Sequence, residues 1–328
     1  HQHLVFDGSG TLEAQVADRS DADLAERARR AARRALEGGV TTLRDLGDRG
    51  YVTLALRDDP ALPTMACAGP PITPTQGHCW YLGGECPDRD ALVRAVDERA
   101  ERGCDVVKIM VTGGMMTPTT PMWMSQFAPD DLRLAVDRAH AAGLPVAAHC
   151  HGIDGIAEAI DAGVDTIEHC TFLNEAMEPD PDAGLLERLA RSGIPISATL
   201  GSLPGAPLPP RYDTIASKVR AATVHVLSGG GTIVVGTDAG IDPFRPHDVA
   251  PHALEDLETL GLSAERALRA MTRDGADALG LTAKGRLTRG ADADLLAVDG
   301  DPFTDAAALT RVAGVWKAGV PVVPTEAA

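Results

Sequence analysis

No apolar run in this sequence approaches the ~20 residues that a membrane-spanning helix needs, and no Gly-x-Gly-x-x-Gly follows the first strand. Neither a membrane helix nor a dinucleotide fingerprint is expected. The six cysteines, Cys67, Cys79, Cys86, Cys104, Cys150 and Cys170, contain no Cys-x-x-Cys pair and no regular framework. Reduced thiols in a cytosolic enzyme are therefore expected rather than a disulfide scaffold, with the cytoplasm as the expected compartment. Positive charge is short as well: 30 Lys plus Arg stand against 47 Asp plus Glu, a formal net charge of −17. Such an acidic surface argues against nucleic acid or an anionic membrane as partner. What remains is a chain of 328 residues, 44% hydrophobic and 23% charged, able to bury a sizeable core in one large domain with or without a small appendage. It opens on His1 rather than methionine, inside a motif, so a leading segment is expected to be missing, which leaves room for a signal peptide.

The stretch 145–170, PVAAHCHGIDGIAEAIDAGVDTIEHC, reads as two short buried strands, 146–148 and 166–168, separated by a helix. Ile156, Ala159 and Ile160 have helical spacing, with Gly163 where the helix should stop. A parallel strand pair joined by a helix puts both carboxyl ends at one sheet edge. His149 and His169, each ending its strand, should therefore project side by side into one crevice.

Other residues join them along the chain. His1 and His3, at i and i+2 on an extended backbone, face one side and suit two ligands on one metal, although His-x-His alone is a weak pattern. Ser20 and Asp23 form a capping-box start to a helix with Leu24, Ala28, Ala31 and Ala35 on its apolar stripe. Strands follow at 40–46 and 64–68, and then a long Gly- and Pro-rich loop with His78 at its middle. After a helix at 89–102, the strand 105–111, DVVKIMV, carries Lys108 inside an apolar run. A buried ammonium is costly unless paired or neutralised. A lysine that snorkels to the strand end is one reading. The other is a neutral amine that has reacted with carbon dioxide, giving a carbamate whose two oxygens could bridge two metal ions.

Beyond a helix at 130–143 and the βαβ unit, a helix at 182–192 leads to a strand at 195–200 and a second Pro-rich loop holding Arg211 and Tyr212. A helix at 214–227 precedes the buried strand 232–236, with Asp238 just past its end, and a helical region covers 250–281. From 285 onward the pattern changes to short alternating strands with Gly and Asp turns. Eight strands alternating with helices or loops in about 250 residues are the signature of an α/β fold, a closed (β/α)8 TIM-type barrel whose site lies at the carboxyl ends of the strands. Residues 1–281 are expected to form that barrel and 282–328 part of a small β-sandwich.

His-x-His, a strand-four lysine, histidines ending strands five and six and a strand-eight aspartate together resemble the amidohydrolase superfamily, in its binuclear metal form. GVTTLRDLG, VKIMVTGG, VAAHCHG, IEHCTFL and GTDAG are similar to its prolidase-like and imidazolonepropionase-like branch. The resemblance spans almost the whole chain. It implies that His1, His3 and Asp238 hold one metal, that His149 and His169 hold the other, and that carboxylated Lys108 bridges them. It also implies a β-sandwich drawn from both termini, of which only the C-terminal part is present.

By the same resemblance the enzyme cleaves an amide C–N bond by attack of a metal-bridging hydroxide. Two divalent ions are expected, zinc by its suitability to imidazole and carboxylate, with Mn, Co or Fe compatible. Asp238 would move the proton, His78 would stabilise the oxyanion, and His151 would meet a substrate carboxylate, although the relatives often have tyrosine there. Arg211 and Tyr212 would read the leaving group or decorate the rim. The expected substrate is a small molecule, an Xaa-Pro or other dipeptide. The alternatives are a cyclic amide of the imidazolone or hydantoin kind, an N-acyl amino acid, and a non-catalytic ligand-binding barrel. Assembly into a homo-oligomer stays open.

Overall fold

The computed structural model describes residues 1–206 and 212–324. In chain order it contains α1 (Leu12–Val16), α2 (Asp21–Glu37), β1 (Thr42–Asp45), β2 (Thr64–Cys67) and two-residue strands β3 (Thr73–Pro74) and β4 (Glu85–Cys86). Next come α3 (Arg89–Glu101), β5 (Val107–Met110), α4 (Pro129–Ala141), β6 (Val146–Gly152), α5 (Ile153–Ala162), β7 (Thr166–Leu173), α6 (Ala183–Ser192), β8 (Ile196–Thr199), α7 (Tyr212–Ser228) and β9 (Ile233–Gly236). The chain ends through α8 (Ala253–Thr259), α9 (Ala264–Met271), α10 (Arg273–Ala278), β10 (Leu295–Val298), β11 (Val312–Lys317) and β12 (Val320–Pro321). None of the described helices is long and apolar enough to cross a membrane.

Strands β5 to β9 pair in parallel in sequence order, and β1 pairs in parallel with β2. Single bridges join these pieces into a ring. Ile72 bridges Ile109, and the Asp105 N–H donates to the Cys67 carbonyl at 3.0 Å, linking β2 to β5. Gln2 bridges Asp45 on one side and Ala239 on the other, so residues 1–3 act as the eighth parallel segment. The result is the TIM-type (β/α)8 arrangement, with every strand's carboxyl end on one face. Buried short apolar strands such as VKIM make this sheet, because both of its faces are covered.

The helices form where the chain specifies them. Ser20 accepts from the Asp23 N–H and Asp23 reciprocates, a complete capping box that starts α2. Leu24, Ala28, Ala31, Ala32 and Ala35 then bury one face. In α5 the stripe Ile156, Ala159 and Ala162 is buried, and Gly163, with φ of 79°, takes the left-handed conformation that ends the helix.

Three expectations change. β6 and β7 run on to Gly152 and Leu173, so His149 and His169 lie within their strands rather than at the ends. The regular ladder nevertheless breaks there: pairing shifts register between Cys150 and Gly152, and His169, Cys170 and Phe172 have positive φ. The helical region 250–281 is three short helices, because Gly261 and Thr272 interrupt it. The long loop after β2 contains the β3–β4 pair. Among the described residues the C-terminal strands form a single antiparallel sheet in the order β10–β11–β12. A cavity of about 570 Å³ lined by Arg44, Arg57, Asp105 and Lys317 opens at the amino-terminal end of the barrel, away from the histidines.

Candidate metal centre

Six of the ten histidines of the chain gather at the carboxyl ends of the strands: His1, His3, His78, His149, His151 and His169. In the first group, Nε2 of His1 and Nε2 of His3 lie 3.3 Å apart, and each lies 3.3 Å from Oδ1 of Asp238. The segment is held by backbone bonds on both flanks. The Gln2 N–H donates to Arg44 O, the His3 N–H to Ala239 O and the Asp238 N–H to His1 O, at 3.0, 3.0 and 2.9 Å. Asp45, fully buried, accepts from the N–H groups of Leu4 and Gly47 at 2.8 and 3.1 Å. Gly47 in turn offers its carbonyl to Nδ1 of His3 at 2.9 Å.

Those contacts dictate where the protons sit. A carbonyl can only accept, so His3 carries a proton on Nδ1, and His1 has its Nδ1 2.9 Å from the Glu168 carboxylate, a contact short of hydrogen-bond geometry whose charge still favours a proton there. Both Nε2 atoms of the neutral rings are then bare lone pairs aimed at each other and at a carboxylate oxygen. Such a triangle is repulsive unless a cation or a proton sits in it. Burial works to lower the His3 pKa, but Asp238 and Asp45 outweigh it and raise it above the ordinary value. Asp238 is held well below the usual carboxylate range: burial raises it, and His3, His169 and Arg245 more than reverse that.

The second group is His149, His151 and His169, whose ligand atoms lie within 4.8 Å of one another. The His149 Nε2–H donates to the Gly113 carbonyl at 3.1 Å, leaving Nδ1 bare. His151 Nδ1 lies 2.9 Å from the Thr171 hydroxyl, and that hydroxyl donates back to the His151 carbonyl, leaving Nε2 of His151 bare. His169 meets Thr199 Oγ1 through Nδ1 at 3.2 Å. His149 and His169 rings stand 4.5 Å apart, centre to centre, while His151 stacks on His169 at 4.6 Å. Burial, reinforced by neighbouring histidines, drives the His149 and His169 pKa values well below normal; burial and Lys108 bring His151 down to about 4. All three are neutral near pH 7, the form that ligates.

Lys108 on β5 is 1% exposed and its Nζ has no hydrogen-bond partner. It does not snorkel. Burial lowers its pKa, against the opposing pull of Glu168 and Asp238, so the amine is biased toward its neutral, nucleophilic form. Below it lies a buried ion pair: Arg44 Nη2 donates to Glu168 Oε1 at 2.7 Å, and the Thr166 hydroxyl donates to the same oxygen at 2.8 Å. His78 sits across from His149, ring centres 4.6 Å apart, with Nδ1 3.1 Å from the Thr117 hydroxyl. Its backbone N–H donates to Gln126 Oε1 at 2.8 Å, and Gln126 donates onward to the Met110 and Thr112 carbonyls, tying the His78 loop to the end of β5. Burial lowers the His78 pKa to about 3. Arg211 lies outside the described residues, and of Tyr212 only its place at the start of α7 is described.

The sequence profile of the amidohydrolase family matches residues 1–324. The chain belongs to that family. This amidohydrolase is 28% identical over 322 residues to an ochratoxinase of Aspergillus niger, an alignment covering 87% of this chain and 66% of the relative. It thus spans a little less than two thirds of the length of that relative. An imidazolonepropionase of Salinispora tropica is 30% identical over 213 residues, 62% of this chain and 50% of the relative. A solved Xaa-Pro dipeptidase with methionine bound in its active site superposes with a TM-score of 0.82 at 26% identity, covering 98% of this chain and 84% of that one. The prolidase-like and imidazolonepropionase-like character read from the motifs agrees with these relatives.

The donor set fits the divalent metal that the family implies. A tetrahedral ion with ligands at ~2.0–2.1 Å holds its donors about 3.3 Å apart, the spacing found among His1, His3 and Asp238. The Lys108 amine, buried without a hydrogen-bond partner, is available as a further donor. Reading motifs alone missed Arg44, Glu168, Thr117 and Gln126. Arg44 and Glu168 carry the signal that exposed Lys108, a charge inside an apolar strand, in VTTLRDL and DTIEHC.

Proposed function

We propose that this amidohydrolase is a metal-dependent hydrolase that cleaves the amide C–N bond of a small substrate, a dipeptide of the Xaa-Pro or Xaa-Xaa type. The observation that carries the reading is the triangle of His1, His3 and Asp238, two imidazole nitrogens and a carboxylate oxygen that converge 3.3 Å from one another. His1, His3 and Asp238 would hold one cation, His149 and His169 the other, with Lys108, as its carbamate, between them. Divalent cations bound there, zinc by donor chemistry, supply Lewis acidity and lower the pKa of water.

The chain supplies the rest. Asp238, ionised and with a second carboxylate oxygen to offer, accepts the proton of the attacking water and delivers it to the leaving nitrogen. His78, neutral and oriented by Thr117, stands where it can donate to the oxygen that gains charge. His151, held by Thr171, faces the same space and meets the substrate carboxylate.

The test is a zinc- or manganese-loaded preparation assayed against Xaa-Pro, Xaa-Arg and other dipeptides beside N-acyl amino acids, an imidazolone and a hydantoin. Dipeptides should give the highest kcat/KM. Turnover confined to a cyclic amide or an N-acyl amino acid would move the assignment to that substrate. Tight small-molecule binding without turnover by the loaded protein would overturn it.

A further inference from the structure

Glu168 is fully buried and joins two unlike neighbours. One oxygen, Oε1, receives Arg44 Nη2 at 2.7 Å and the Thr166 hydroxyl at 2.8 Å. The other, Oε2, stands 2.9 Å from Nδ1 of His1, a close polar contact that falls short of hydrogen-bond geometry, while Ser197 also interacts with the carboxylate. An ion pair with Arg44 alone would account for Oε1. It does not account for the approach of Oε2 to His1, since a buried carboxylate oxygen 2.9 Å from a ring nitrogen gains something only if that nitrogen carries the proton. His1 has nowhere to retreat: a Cβ on Gly236 would come within 2.7 Å of the His1 Cβ, so that glycine seats the ring against Glu168.

We propose that Glu168, anchored by Arg44, is the positioning residue for His1. It fixes the imidazole proton on Nδ1 and so presents a bare Nε2 to the cation beside His3 and Asp238. This rests on reading those three residues as a metal site. Carboxylates that hold the far nitrogen of a ligating histidine set both its tautomer and its ring angle, and their loss weakens metal affinity by about 10- to 100-fold.

Glu168→Gln gives an unusually sharp test because it keeps the shape. Arg44 has only donors, so the carbonyl oxygen of the substituted side chain must stay toward it. The amide –NH2 then faces His1 Nδ1 and donates, which forces the imidazole proton onto Nε2, where the cation should bind. Zinc content and chelator competition on the full chain should show one of two sites weakened about 10- to 100-fold and the other unchanged, with circular dichroism like the parent protein. Adding Arg44→Met to Glu168→Gln frees the amide to rotate and should recover part of the affinity, a rescue that a merely structural ion pair would not give. Two undiminished sites in Glu168→Gln would overturn the proposal, as would a double variant no better than the single. If Glu168→Gln fails to fold, Glu168→Asp decides: it keeps the charge against Arg44 but falls a methylene short of His1, so wild-type affinity at both sites would equally overturn it. His3→Ala serves as the control. If that variant loses no zinc relative to the parent, the metal-site reading itself has failed and the proposal falls with it.

Discussion

Gly114 packs against His78 so closely that a Cβ placed there would stand 2.2 Å from Nε2 of the imidazole. His78 is held from its other side by Thr117, so it cannot turn away without breaking that bond. Gly114→Ala should therefore displace His78 and lower kcat by about 10²-fold, the scale of a misplacement near 1 Å, with little change in metal content. Steady-state kinetics beside zinc analysis would check it. An unchanged kcat would remove His78 from the reaction.

Lys108 is a buried amine with no hydrogen-bond partner, which costs the fold free energy as long as it stays an amine. Lys108→Met replaces it with an apolar chain of similar volume. The metal-free protein should melt at an equal or higher temperature, while turnover of the reconstituted enzyme falls by at least about 10³-fold. Calorimetry and an amide hydrolysis assay, with and without added bicarbonate, would separate these two effects.

Asp238→Asn keeps the size of the side chain and removes its capacity to take up a proton. A loss in kcat of about 10²- to 10⁴-fold is expected, the usual range for a proton-transfer group, with KM less affected. Because Asp238 lies well below the carboxylate range in the parent protein, the parent should show no acid limb from this group at moderate pH.

The metal-free protein should lose stability as pH falls below the ordinary histidine value. His151 and His78 have folded pKa values of about 4 and about 3, and those of His149 and His169 are also well depressed by burial. Between those values and ~6.5 the unfolded chain binds protons that the folded one refuses at these four rings, so the stability they contribute is full above ~6.5 and drains as pH falls, against a smaller opposite contribution from His3, whose pKa is raised. Each such histidine contributes a slope of up to about 1.4 kcal/mol per pH unit. Denaturant titrations at a series of pH values, with and without zinc, would measure it. A flat profile between pH 6.5 and 4.5 would contradict buried neutral imidazoles.

The ring of strands was legible because each strand is a short apolar run bounded by Gly or Pro, and the runs 107–110 and 233–236 fall within a residue or two of where they were expected. The metal-type residues were legible for a related reason: His149, His169 and Asp238 are polar groups at the ends of such runs. What holds them was not. Glu168 meets Arg44 across 124 residues and His1 across 167, and local pattern carries no information on pairs that the closed ring creates. His247 was passed over for the same reason, although it is buried and bonded to Gln2 and Phe6 behind the first cluster. The strand ends were misjudged because His169, Cys170 and Phe172 adopt positive φ, which no residue type in HCTFL announces.

Residues 1–3 complete the ring by lying between β1 and Ala239. Of the eight parallel segments, the one that leaves the ribosome first thus waits for the last before it can pair on both sides. Until position 239 has emerged, a nascent chain leaves one flank of β1 open and cannot bring His1 and His3 to Asp238. Closure over so long a separation is slow in physical terms, and it demands that the growing chain be shielded from other strands in the meantime. Loading with a cation then becomes an event of the finished protein, and it would seal the seam at which the barrel closes.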